Sequence, residues 1–146
     1  MSKFNFDKVL QNMQQLKKEL PQELANDAQK FFNNAFRSQS WEGKSWQTPQ
    51  RRIPGTLSYK YPKKKKLGRR TRATLVQSGR LRRTVATSLK SVRWESIKFV
   101  VDLPYADVHN EGGAKMPKRK FMGDAPSLKI IQRKKIKKMV NKIWQA

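Results

Sequence analysis

The chain has 146 residues, enough for a single domain over 1–146 with a real core and too few for two comfortable ones. It has no cysteine, which excludes disulfides and thiolate zinc sites and fits assembly in a reducing cytoplasm. There are 34 Lys and Arg against 10 Asp and Glu, a net charge of +24. Such an excess favours polyanionic partners: nucleic acid first, an acidic protein surface second, and anionic membrane a distant third. No signal sequence opens the chain and no run approaches the ~18 apolar residues of a spanning helix, so no membrane partner is expected.

Phe6, Val9, Leu10, Met13, Leu16 and Leu20 recur at three or four, which predicts an amphipathic helix. Pro21 is expected to start a second helix carrying Leu24, Ala28, Phe31, Phe32, Ala35 and Phe36. Helical periodicity then stops. Trp41 and Trp46 bracket Glu-Gly-Lys-Ser, a turn with an indole on each side. Residues 47–73 read as a long basic, flexible loop. Its charges Lys60, Lys63, Lys64, Lys65, Lys66, Arg69, Arg70 and Arg72, interleaved with Tyr59 and Tyr61, are candidate contacts to DNA or to an acidic partner. A nuclear localisation signal and a solvated, disordered loop are the competing readings.

Residues 74–79 read as a strand or turn, and Leu81 together with 83–89 as a strand with Val85, Thr87 and Leu89 on one face. A second strand at 97–103 alternates Ile97, Phe99, Val101 and Leu103 and should stop at Pro104. The two predict an antiparallel hairpin with a polar tip at 90–95, covered by the phenylalanines of the N-terminal helices. After it, residues 105–111 suggest a short helical turn ended by Gly112-Gly113, then a basic loop at 115–120 and an apolar pair, Phe121-Met122, before Gly123. Asp124 is placed to cap a last helix with Pro126 near its first position. Leu128, Ile131, Ile136, Met139, Val140 and Ile143 should form its apolar side, with Lys129, Arg133, Lys134, Lys137, Lys138 and Lys142 opposite. The expected fold is α+β: N-terminal helices packed on a small antiparallel β-sheet, a long basic loop and a C-terminal helix.

Catalytic signals are weak. His109 is the only histidine, so a His-Asn-His nuclease centre cannot be built on His109-Asn110. It reads as a hydrogen-bonded structural histidine holding the turn before Gly112. Gly43-Lys44-Ser45 matches the end of a phosphate-binding loop, but Ser38 stands where its first glycine belongs and no apolar strand precedes it. No catalytic, cofactor or metal residues are proposed from the sequence, and an enzyme is not expected.

The stretch PYADVHNEGG followed by MPKRKFMG, with LVQSGRLRRTV and SWEGKSWQTPQRR before it, resembles the signature of phage virion morphogenesis proteins. These are the neck or tail-completion proteins of tailed bacteriophages. The last piece departs from the pattern, with Glu42 where Asp is usual and Pro49 one residue late. The matching positions are Trp46, Gly79, Leu81, Arg82, Tyr105, Ala106, His109, Gly112, Gly113, Pro117, Arg119, Phe121 and Gly123. The resemblance implies a structural, non-enzymatic virion protein of the head–tail junction, assembled in the bacterial host cytoplasm. It would form a six- or twelve-fold homo-oligomeric ring around the path of the genomic double-stranded DNA and join the portal or connector to the tail proteins. Phe121 and Met122 must be buried, either against this domain's own sheet or in a groove of the next subunit, and the resemblance favours the second. The alternative is a basic, non-enzymatic nucleic-acid-binding protein, which accounts for the charge but not for the ordered motif pieces.

Overall fold

The computed structural model describes residues 5–61 and 70–144 and has an α+β fold. Lys63, Lys64, Lys65, Lys66 and Arg69 lie outside the described residues. In chain order, helix α1 (Phe6–Ser38) leads to a short hairpin, β1 (Ser40–Trp41) with β2 (Lys44–Ser45). A 3-10 turn (Gln50–Arg52), α2 (Leu57–Lys60) and α3 (Arg80–Ala86) follow. A second antiparallel hairpin, β3 (Leu89–Val92) with β4 (Ile97–Phe99), precedes α4 (Ala106–Glu111) and α5 (Pro126–Trp144). Among the described residues no helix is long and apolar enough to cross a membrane.

Several elements differ from the sequence reading; the stretch read as a loop at 47–73 contains a 3-10 turn (Gln50–Arg52) and α2 (Leu57–Lys60). The N-terminal region is one helix with Pro21 inside it, not two. An interior proline removes a hydrogen bond and costs about 3 kcal/mol. The buried stripe nevertheless continues across it through Leu20, Ala25 and Ala28, and this packing carries the helix past the defect. Residues 80–86 are helical rather than extended: Leu81 and Val85, four apart, are both buried on one face. The strand at 97 ends at Phe99, so residues 101–103 leave the ladder.

Contacts divide the chain into two compact units. The first comprises residues 1–31, 88–100 and 124–146. In it, α5 lies along α1: Gln132 Nε2 donates to the Leu24 carbonyl at 3.4 Å. Lys135 Nζ reaches Glu23 at 2.9 Å and Asp27 at 3.1 Å. This clamp closes on the turn that follows Pro21. The hydrogen bond from Lys135 holds the Glu23 carboxyl below its usual range, and the same bond raises the lysine. It also changes which side of α5 faces inward. Leu128 and Ile143 are buried, Lys135, Ile136 and Met139 half-buried, and Ile131 is exposed. In the second hairpin Leu89 faces Phe99 and Val92 faces Ile97, with a register shift between Leu89 and Ser91. Its turn is tighter than expected, closed by Arg93 N donating to Ser96 O at 2.9 Å.

The second unit comprises residues 32–87 and 101–123 and is built around aromatic rings. Phe36 meets Phe121 at 5.3 Å between centroids and the edge of Trp46 at 5.7 Å, while Phe32 stacks on Trp41 at 6.3 Å. Phe32 and Phe36 of α1 thus find partners on the tryptophan hairpin and on Phe121. The β1–β2 turn places Glu42 and Gly43 both at positive φ, 52° and 75°, the two-residue geometry that matches strand twist. Trp46 Nε1 donates to the Lys120 carbonyl at 2.8 Å, which ties this hairpin to the segment carrying Phe121.

Candidate functional site

The second unit encloses the candidate site, and its scaffold is the segment from α4 to Phe121. Gly112 ends α4 at φ 86°, donating its N–H to the Val108 carbonyl at 3.0 Å. A Cβ there would stand 3.1 Å from the backbone nitrogen of Lys118, so the chain can double back this closely only at a glycine. The reversal continues as Gly113 and Met116 exchange backbone hydrogen bonds at 2.9 and 3.1 Å. It then brings Arg119 N onto the His109 carbonyl at 2.8 Å.

Two polar side chains lock the returning segment. Asn110 Oδ1 accepts from the backbone N–H groups of Phe121 and Met122, at 3.0 and 3.1 Å. The buried Arg119 guanidinium donates through Nε and Nη2 to the Gln47 carbonyl, at 3.4 and 3.3 Å. Phe121 itself is only 2 % exposed. The expectation that it reaches into a neighbouring subunit is therefore corrected: its pocket lies within its own unit, against Phe36.

Beside this scaffold opens a cavity of about 690 Å³. Gly79, Leu81, Tyr105, His109, Pro117 and Arg119 line it, six positions from three separate pieces of the sequence signature. Of the remaining signature positions, Trp46 and Phe121 form the adjoining aromatic core and Ala106 is buried at the start of α4. Gly112 and Gly113 make the reversal. Arg82 is exposed on α3, and Gly123 ends the segment at φ 124°.

The cavity wall is cationic. Arg51, Arg72, Arg80, Lys115 and Arg119 contribute to it, and no Asp or Glu does among the described residues. Two donor-capable atoms in it, Arg72 Nε and His109 Nδ1, are buried without a protein partner among the described residues. His109 therefore holds its turn through its backbone carbonyl, not through Nδ1 as a structural histidine would suggest. Burial pushes the His109 imidazole below its ordinary value, and the charge of Arg119 adds to the effect; burial likewise lowers Arg119.

The base of the basic loop is fastened by two arginines that sequence reasoning did not single out. Arg52 donates to the carbonyls of Arg70, Thr71 and Arg72 at 3.0, 2.8 and 2.7 Å. Arg51 Nη2 donates to the Arg72 carbonyl at 3.0 Å. Arg70 folds over the ring of Tyr59, 4.0 Å from its centroid, and donates to its carbonyl at 3.0 Å. Of the sequence-predicted contact residues, Lys60 ends α2 and is exposed, Arg70 is engaged with Tyr59, and Arg72 lines the cavity. No local sequence signal marks Arg51, Arg52 or Asn110, because each acts on backbone groups distant in sequence or in an irregular loop. In comparisons with protein families, curated proteins and solved structures, nothing matches this chain.

Proposed function

We propose that this chain is a structural virion protein of the head–tail junction, a neck or tail-completion subunit that assembles into a ring around the DNA path. The observation that carries the reading is the spatial convergence of the signature. Gly79 and Leu81, Tyr105 and His109, and Pro117 and Arg119 come from three stretches of chain and surround one cavity. Trp46 and Phe121 close the core beside it. Residues that meet only in the folded unit, and that resemble an ordered family signature, support a common origin better than chance matches of short motifs would. The partners in this reading are further copies of the chain, the portal or connector, the tail proteins and the genome in the channel.

The charge supports a second reading, a basic nucleic-acid-binding protein without a place in the particle. One experiment separates them. The gene is disrupted in its phage and the lysate is examined by electron microscopy, with the protein supplied in trans as the control. The assembly reading expects full heads and free tails that fail to join, restored to joined particles by the supplied protein. Normal, infectious particles lacking the chain would overturn it and leave the nucleic-acid-binding reading.

A further inference from the structure

We infer that the cationic cavity of the second unit is a receptor for an acidic peptide segment of a partner protein, one that presents carboxylates beside apolar side chains. The clearest sign is charge. Five cationic side chains share a wall with no carboxylate, and four of them are arginines, whose planar fork of donors suits carboxylate recognition. Arg72 Nε and His109 Nδ1 add buried positions with no protein partner among the described residues. An unsatisfied buried polar atom is costly, and an acceptor brought by a ligand removes that cost at Arg72.

Shape and the rest of the lining select among anions. A cavity of about 690 Å³ falls in the size range of sites that enclose a compact ligand or a few residues of chain. The cylinder of a DNA duplex cannot enter such a concavity, so its phosphates would meet only the rim. Leu75, Val76, Leu81, Met116, Pro117 and Tyr105 supply apolar surface between the cations. A bare phosphate has nothing to place against them, whereas a peptide alternating acidic and apolar side chains fills both kinds of wall. The inference names a partner for the site on which the assembly reading leans. It is tested on the isolated protein, so it stands or falls separately from ring formation in a phage.

The probe is a fluorescein-labelled octapeptide of alternating glutamate and leucine, with glutamine replacing glutamate in its control, followed by fluorescence anisotropy at physiological salt. Two variants remove equal charge in different places. Arg80→Gln with Lys115→Gln acts on exposed cavity residues, and Lys137→Gln with Lys138→Gln acts on exposed residues of α5. The cavity pair should weaken the glutamate peptide by about tenfold or more, as expected for losing charge-assisted hydrogen bonds. The α5 pair should change it less than about twofold, because neither Lys137 nor Lys138 lines the cavity. Arg119→Gln should weaken it as well. Should that variant lose its fold through the Gln47 contact, the cavity pair still decides. Equal losses from both pairs, equal binding of the glutamine peptide, or no binding of the glutamate peptide by the unaltered protein would overturn the proposal. So would displacement of the peptide by millimolar orthophosphate, which marks a small-anion site. Competition by duplex DNA that depends on Arg80 and Lys115 would mark a phosphate-reading rim and overturn it too.

Discussion

Replacing Phe121 by alanine tests whether the second unit is held together by its aromatic cluster. The side chain is one of the two largest that are fully buried, at 2 % exposure, and it meets Phe36 at 5.3 Å. Phe36 in turn carries the edge of Trp46 at 5.7 Å. Truncation therefore removes the ring that Phe36 packs against and leaves a void beside it. A buried Phe→Ala change costs about 3–5 kcal/mol, a large part of the 5–15 kcal/mol typical of a whole domain. For a chain of 146 residues the unfolding entropy is about 0.3 kcal/mol/K, so the melting temperature should fall by roughly 10–16 °C. Differential scanning fluorimetry of the isolated protein measures this, with Phe121→Leu as a milder control expected to cost less than about half as much. A loss below about 3 °C, together with failure to enter particles, would refute the intramolecular pocket. It would restore the idea that Phe121 belongs to an interface between subunits.

Three further outcomes follow from the same segment. Asn110→Ala leaves the Phe121 and Met122 N–H groups without their acceptor and should cost about 1–3 kcal/mol in chemical denaturation, while Asn110→Asp, which keeps an oxygen in place, should cost less. Gly112→Ala combines a φ of 86° with a Cβ 3.1 Å from the Lys118 backbone, so it should destabilise by more than about 1 kcal/mol, visible as a lower denaturation midpoint. His109 is held below its ordinary value near 6.5 by burial, so the unfolded chain takes up the proton first. The stability from its neutral ring is complete above about pH 6.5 and declines as pH falls through the window down to the lower folded value; His109→Gln should flatten that decline, measured as melting temperature against pH. An unchanged slope would remove His109 as its source.

Local chemistry was legible in the sequence and long-range chemistry was not. The turn between the tryptophans, the short helix before Gly112, the pairing of a strand near 89 with one at 97 and the start of α5 at Pro126 all follow from residues within a few positions. The region 80–89 carried two periods at once. Val85, Thr87 and Leu89 alternate like a strand, while Leu81 and Val85 are spaced like a helix, and the burial of the latter pair decides for α3. Pro21 reads as a boundary because its local cost is known, whereas the packing that outweighs it lies elsewhere in the chain. The inward side of α5 departs from the hydrophobic pattern at Ile131, which is exposed, for a related reason. Glu23 and Asp27, more than a hundred residues away in sequence, draw Lys135 toward α1, and no hydrophobic pattern contains that instruction. The cavity was legible only as scattered signature positions, since nothing in one dimension says that Gly79, His109 and Arg119 share a wall.

The distribution of acids explains why structural use and partner binding need not compete for the same arginines. Ion pairs among the described residues engage Glu23 and Asp27 with Lys135, Glu111 with Lys118, and Asp124 with Lys129. None of these carboxylates lines the cavity. There, and at the base of the basic loop, arginines are held by backbone carbonyls: Arg119 by Gln47, Arg52 by Arg70, Thr71 and Arg72. A carbonyl fixes a guanidinium in place but carries no net charge to cancel it. Each such bond therefore orients a cation and leaves its field intact, which is the preorganisation an anion-binding surface needs. Self-repulsion among these fixed charges persists in the isolated chain, and any partner of opposite charge would relieve it on binding. In the assembly reading proposed above, a chain arranged in this way would gain stability against anionic neighbours, and that gain would supply part of the drive to assemble.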